Sequence, residues 1–210
     1  MGKNGIYAVL SGDLVDSGKY SVAKIRTLFA SLHAIVNQYK SNNPGRIIGG
    51  LCVVQGDKWQ ILLDQSSAGI EMMILLSAVC RQHGMRTRCS LRVGTVEVIC
   101  EANITESQGK AFVVSGRTLE ALEQRENNKQ FWAFAGEGTT ASDMLLFAVL
   151  GDIANRWTVR QAELIPHLLE GKTHEEIANI LKVKRQNVSK IANAGKWDFF
   201  RRLLRISANA

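Results

Sequence analysis

No apolar run in this chain is long enough to span a membrane, so a transmembrane helix is excluded. The opening Met1-Gly2-Lys3-Asn4-Gly5 leads straight into a strand-like run and lacks a signal-peptide core; a cytoplasmic protein is expected. Cysteine is scarce: Cys52, Cys80, Cys89 and Cys100 are widely spaced, and three of them lie in apolar strand-like contexts. That argues against a disulfide framework or a zinc site and for reduced, buried thiols. Histidine offers no ligand spacing either. His33 and His167 fall in helical patterns, His83 lies beside the Gly84 stop, and His174 opens a helix with no companion.

What is present is a core. The chain has 210 residues, 46% of them apolar, enough for one medium domain and a small one and too many for a disordered chain. Its net charge of +7 is uneven: residues 157–210 hold 10 Lys+Arg against 5 Asp+Glu, a net of +5. A basic tail suggests nucleic acid; a solvated basic surface is the plain alternative.

The stretch Ser11-Gly12-Asp13-Leu14-Val15-Asp16-Ser17 follows a strand-like run and precedes a long helical pattern. Backbone N–H groups of the turn, from Leu14 through Val15, Asp16 and Ser17, could cradle a phosphate, and Asp13 could hold Mg²⁺ (or Mn²⁺) against it. A simple capped turn explains the same residues. A second acidic turn, Gly56-Asp57, sits between two apolar runs and reads as a hairpin, with Asp57 at its tip or just past it.

Strand patterns cover residues 6–13, 47–54, 59–63, 87–100 and 131–134. Helical patterns cover 22–39, 67–83 and a segment beginning near Phe112, with Ser21 as a plausible N-cap. In residues 87–100, Cys89, Leu91 and Val93 alternate with Arg88, Ser90 and Arg92. The order βαββαβαβ predicts an α+β fold of ferredoxin-like or palm type: an antiparallel sheet with helices on one face.

Four signals in this order resemble the catalytic domain of the class III nucleotidyl cyclases. They are Asp13 with its Leu-Val-Asp-Ser turn, Gly56-Asp57, Leu91-Arg92-Val93-Gly94, and Gly109 followed by Ser115-Gly116-Arg117-Thr118-Leu119-Glu120. The resemblance spans roughly residues 6–125. It implies Asp13 and Asp57 as ligands of two Mg²⁺ (or Mn²⁺) ions, Arg117 as a catalytic group facing phosphate, Glu106 as the carboxylate reading a purine, and a homodimer. Two departures stand out. The family's Asn four residues before the Arg is Val113 here, and a base-selecting Lys four before the hairpin Asp is Val53. Metal and phosphate equipment is kept, while base-reading and transition-state equipment is thinned. Weak or absent cyclase activity is expected.

An apolar helix pattern over residues 141–156 connects residues 1–140 to a tail, 157–210. It could link domains or pack subunits. In the tail, Thr158-Val159-Arg160-Gln161 and Thr173-His174-Glu175-Glu176 fit the capping box. A short helix after the second box, a turn at Lys182-Val183 and a third helix over 184–194 resemble the helix-turn-helix of bacterial regulators. If the tail is a small all-α DNA-binding domain, the third helix enters the major groove. Arg185, Gln186, Ser189 and Lys190 are then exposed near its start, with Lys184, Lys190 and Lys196 as phosphate contacts. Taken whole, the chain resembles the SatD family of bacterial proteins. The expected function is a DNA-binding regulator with a nucleotide-sensing domain, the alternative a Mg²⁺-dependent cyclase or phosphoryl-transfer enzyme.

Overall fold

A computed structural model of the chain describes residues 5–124 and 130–208; Met1 to Asn4 lie outside them. Five strands form one sheet: β1 (Gly5–Leu14), β2 (Ile47–Gln55), β3 (Lys58–Leu63), β4 (Thr87–Val96) and β5 (Trp132–Ala135), in the order β2-β3-β1-β4-β5. Eight α-helices accompany it among the described residues: α1 (Val22–Asn42), α2 (Ser66–Gln82), α3 (Lys110–Gln124), α4 (Ala141–Asn155), α5 (Val159–Leu169), α6 (His174–Leu181), α7 (Arg185–Ala194) and α8 (Trp197–Ala208). Among the described residues no helix is long and apolar enough to cross a membrane.

The first four strands pair antiparallel, and α1 and α2 cross between non-adjacent parallel strands, the split βαβ arrangement expected. Two expectations need correction. The sheet is mixed, because β5 runs parallel to β4, with Cys89 opposite Trp132 and Leu91 opposite Phe134. The helices also occupy both faces. Ala8 and Leu10 of β1 pack with α1 and α2, whereas Val9 packs with Ala111 and Phe112 of α3. The reason is the crossover. A helix joining two adjacent parallel strands must cover one face, and α1 and α2 already fill the other.

Several local signals act as read. Ser21 caps α1, its Oγ accepting from the Lys24 N–H. Both Thr capping boxes form, at Thr158–Gln161 and Thr173–Glu176. The strand over residues 87–100 is shorter than its alternation suggests, ending at Val96 with an isolated bridge from Val98 to Gln108.

The tail helices share the sheet's core. Trp157, Ala162, Ile165, Phe200 and Leu203 belong to the same apolar cluster as α1, α2 and β1. A buried polar chain reinforces the junction. Thr87 Oγ donates to the Asp13 carbonyl at 2.6 Å, the Thr87 N–H donates to Asn155 Oδ1 at 2.9 Å, and Asn155 Nδ2 donates to the Gly151 carbonyl at 3.0 Å. Two residues on, Trp157 Nε1 donates to the Gly195 carbonyl at 2.8 Å, at the end of α7. Asn155→Ala strands the buried Thr87 N–H, while the Gly151 carbonyl keeps its bond within α4. A loss of about 1–3 kcal/mol is expected in urea denaturation; an unchanged midpoint would refute the structural role of Asn155.

Candidate functional site

Alternation places Ser11 and Asp13 of β1 on the α3 face of the sheet. Their neighbours there are Lys58 and Gln60 from β3 and Arg88 and Ser90 from β4. Ser11 Oγ accepts from Gln60 Nε2 at 3.0 Å and lies 2.9 Å from Ser115 Oγ of α3; the Ser115 hydroxyl also lies 2.9 Å from the Ser90 carbonyl. This polar row continues to Asp13.

Asp13 is 2% exposed. Arg88 Nη1 donates to its Oδ2 at 3.4 Å, while its Oδ1 is buried with no hydrogen-bond partner among the described residues. Burial pushes the Asp13 carboxyl up to about 6, with Glu123 and Asp57 adding repulsion and Arg88 and Lys58 opposing it. Lys58 Nζ reaches Glu123 Oε2 of α3 at 3.1 Å.

Asp57 arrives from the two-residue hairpin loop that joins β2 to β3. Gly56 supplies the left-handed backbone there, with φ of 58°. Asp57 Oδ2 accepts the Leu14 N–H at 3.3 Å. The two carboxylates, 44 residues apart in sequence, therefore meet at the end of β1. A groove of about 550 Å³ opens beside Asp57, lined by Ser17, Gly18, Tyr20, Arg26, Phe29 and Asp57 among others; Asp13 does not border it. A larger cleft of about 700 Å³ lies between α1, α2 and α5, lined by Tyr39, Glu71 and His167, and none of the motif residues borders it.

The turn after β1 is partly committed. The Leu14 N–H is held by Asp57, and the Val15 N–H donates to the Arg86 carbonyl at 2.9 Å. Asp16 takes a left-handed backbone and pairs with Lys19 and Arg86; the Lys19 ammonium holds its carboxyl below the usual range. Ser17 and Gly18 border the groove. Arg117 is exposed on the outward side of α3, and Glu106 is exposed in a 3-10 turn where Asn103 Nδ2 donates to it at 2.8 Å. No hydrogen bond or ion pair among the described residues joins either one to Asp13 or Asp57.

Two carboxylates, one with an orphaned buried oxygen, suit a hard cation that takes one or two protein carboxylates and fills its remaining positions with water and phosphate. No group of three or more His, Cys, Asp or Glu gathers as a metal cage among the described residues. The donor set fits Mg²⁺ or Mn²⁺ on those terms. Sequence reading missed Arg88, Lys58, Glu123 and Arg86. The polar alternation of β4 held the signal for Arg88, and pairing β4 with β1 turns it into an ion pair.

In the tail, Lys184, Arg185, Gln186, Lys190 and Lys196 are exposed and Ser189 is half-buried, while Val188 and Ala192 face Leu164, Ile177 and Ala178. Arg185 Nε lies 3.9 Å from Glu175 Oε2 of α6. Lys182, in the left-handed region with φ of 54°, turns the chain between α6 and α7.

No family model matches the sequence. No curated protein matches it. Among solved structures, a bacterial light-regulated adenylyl cyclase is similar over 63% of this chain and 77% of its own, at 17% identity and a TM-score of 0.45. A second structure of that description is similar over 63% of this chain and 43% of its own, at 16% identity and a TM-score of 0.43.

Proposed function

We propose that this chain is a cytoplasmic DNA-binding regulator. Its sheet unit (residues 1–140) binds a nucleotide or related polyphosphate with Mg²⁺ or Mn²⁺, and its helical tail (157–210) is a helix-turn-helix that binds DNA. The observation that carries the reading is the meeting of Asp13 and Asp57 at the end of β1, with one buried carboxylate oxygen unpartnered and a groove beside Asp57. Asp13 and Asp57 hold the metal, Ser17 and Gly18 border the phosphates, and the apolar groove wall takes the rest of the ligand. A bound divalent ion neutralises phosphate charge there. Arg185 and Gln186 reach base edges, and Lys184, Lys190 and Lys196 meet phosphates. The hydrogen bonds from Asp13 through Thr87 and Asn155, and then from Trp157 to the end of α7, supply a route by which one end is felt at the other.

The four free cysteines, two of them fully buried, suit a reducing compartment. Exposed Met144, Leu145 and Val149 on α4 offer apolar surface to a second copy of the chain. A phosphoryl-transfer or cyclase activity would use the same two carboxylates. Val113 stands where the resemblance expects an Asn, which makes binding the stronger reading.

The test couples two titrations. ATP and GTP are titrated calorimetrically with and without Mg²⁺, and binding to random duplex DNA at low salt is followed by fluorescence anisotropy, with and without nucleotide. Arg185→Ala plus Lys190→Ala is expected to weaken DNA binding at least tenfold and leave nucleotide affinity unchanged. Absence of DNA binding by the wild type at low salt would refute the tail's role. Absence of metal-dependent nucleotide binding would refute the sheet's.

A further inference from the structure

Arg88 occupies one side of the carboxylate that a metal would need. Asp13 and Arg88 are direct partners in the β1–β4 register, so the sheet itself imposes the pair. Arg88 is only 17% exposed at its side chain and Asp13 2%, so solvent screens the contact weakly. On the other flank Lys58 is drawn away to Glu123. Asp13 is left half satisfied, with one oxygen on a guanidinium and the other buried and unpartnered.

We infer that Arg88 makes metal binding and polyphosphate binding depend on each other. The inference rests on the metal–nucleotide reading above. A divalent cation arriving alone competes with a guanidinium for the same carboxylate and is repelled by it. A polyphosphate gives that guanidinium another partner, a phosphate it can grip with two N–H groups. Once Arg88 turns to phosphate, Oδ2 of Asp13 is released and joins the unpartnered Oδ1 as a site for the cation. Without a metal, Arg88 is a ready phosphate contact. Arg88 is thus a positioning residue that acts on the metal through Asp13, and the coupling runs equally in both directions.

Two binding measurements on the full chain test this: Mn²⁺ alone, followed by the electron paramagnetic resonance signal of free ion, and ATP in EDTA, followed by calorimetry. Arg88→Gln is expected to tighten Mn²⁺ about tenfold and to weaken metal-free ATP about tenfold. That pair of opposite changes is one that a general loss of structure does not produce. If Arg88→Gln melts below the assay temperature, Arg88→Lys replaces it, with the same signs and about threefold changes, because an ammonium lacks the fork. Equal Mn²⁺ affinity in the wild type and the Arg88 variant, with binding lost in Asp13→Asn, overturns the role of Arg88 and leaves the site standing. Mn²⁺ and ATP affinities that Asp13→Asn leaves unchanged overturn the site and the inference with it.

Discussion

Asp13→Asn is expected to make the protein more stable and, on the proposed reading, to abolish metal-dependent nucleotide binding in one step. The Asp13 carboxyl is pushed by burial from an ordinary 3.8 up to about 6 in the folded chain. Between those two values the folded chain holds a proton that the unfolded chain has lost. Stability therefore falls as pH rises through that window, and above about pH 6 the folded state carries the full cost of the buried charge. A window about two pH units wide corresponds to about 3 kcal/mol. The attraction of Arg88 is already contained in the raised value. Asparagine copies the neutral carboxyl in shape and can still accept from Arg88. At pH 8 the variant should gain up to about 3 kcal/mol, or roughly 6–12 °C in melting temperature for a chain of this size. At pH 3.5 the two proteins should melt alike if both are still folded. A variant less stable than the wild type at pH 8 would show that the Asp13–Arg88 pair stabilises the fold. On the proposed reading the charge buried at Asp13 is a cost borne for binding, and a gain in stability with loss of ligand is the expected sign of it.

The sequence announces the parts of this site better than their arrangement. Ser21, Thr158 and Thr173 cap helices as their spacing with Lys24, Gln161 and Glu176 suggests, because capping is decided within four residues. Gly56-Asp57 turns a hairpin for the same local reason. The direction of β5 is not local. Four residues, Trp132–Ala135, carry the same alternation whichever way they run. Arg88 reads as the polar side of a strand until the register sets it opposite Asp13. Lys58 reads as a turn neighbour until α3 brings Glu123 to it. Arg117 and Glu106 rest on resemblance alone, and the described contacts tie neither to Asp13 or Asp57. Long-range pairings decide which charges meet, and a periodicity of two or 3.6 residues holds no record of them.

Gly12→Ala should be strongly destabilising, and the reason is Trp59. Gly12 and Trp59 are register partners, and the six-membered ring of the indole fills the space where a Gly12 side chain would start. A Cβ at Gly12 would stand 2.1 Å from Trp59 Cζ2 and 2.4 Å from Cε2. Trp59 is fully buried and has no open space into which to swing. Gly12 is not among the positive-φ glycines, so the cost is steric and not conformational. Overpacking of this severity should cost on the order of 3 kcal/mol or more. Gly18, in the neighbouring turn, meets nothing within 4 Å, and Gly18→Ala should stay within about 0.5 kcal/mol of the wild type. A second change separates the causes. If the indole is the obstacle, Trp59→Leu in the Gly12→Ala background should cost less than Trp59→Leu alone, by about 1 kcal/mol or more in a denaturation cycle. If Gly12 instead serves close approach of a phosphate, Gly12→Ala should fold normally and lose only nucleotide affinity. The first outcome has a functional consequence as well. Trp59 follows Asp57 by two residues, so a displaced indole carries Asp57 away from the Leu14 N–H. The glycine before Asp13 thereby leaves room for the indole that follows the second carboxylate in sequence.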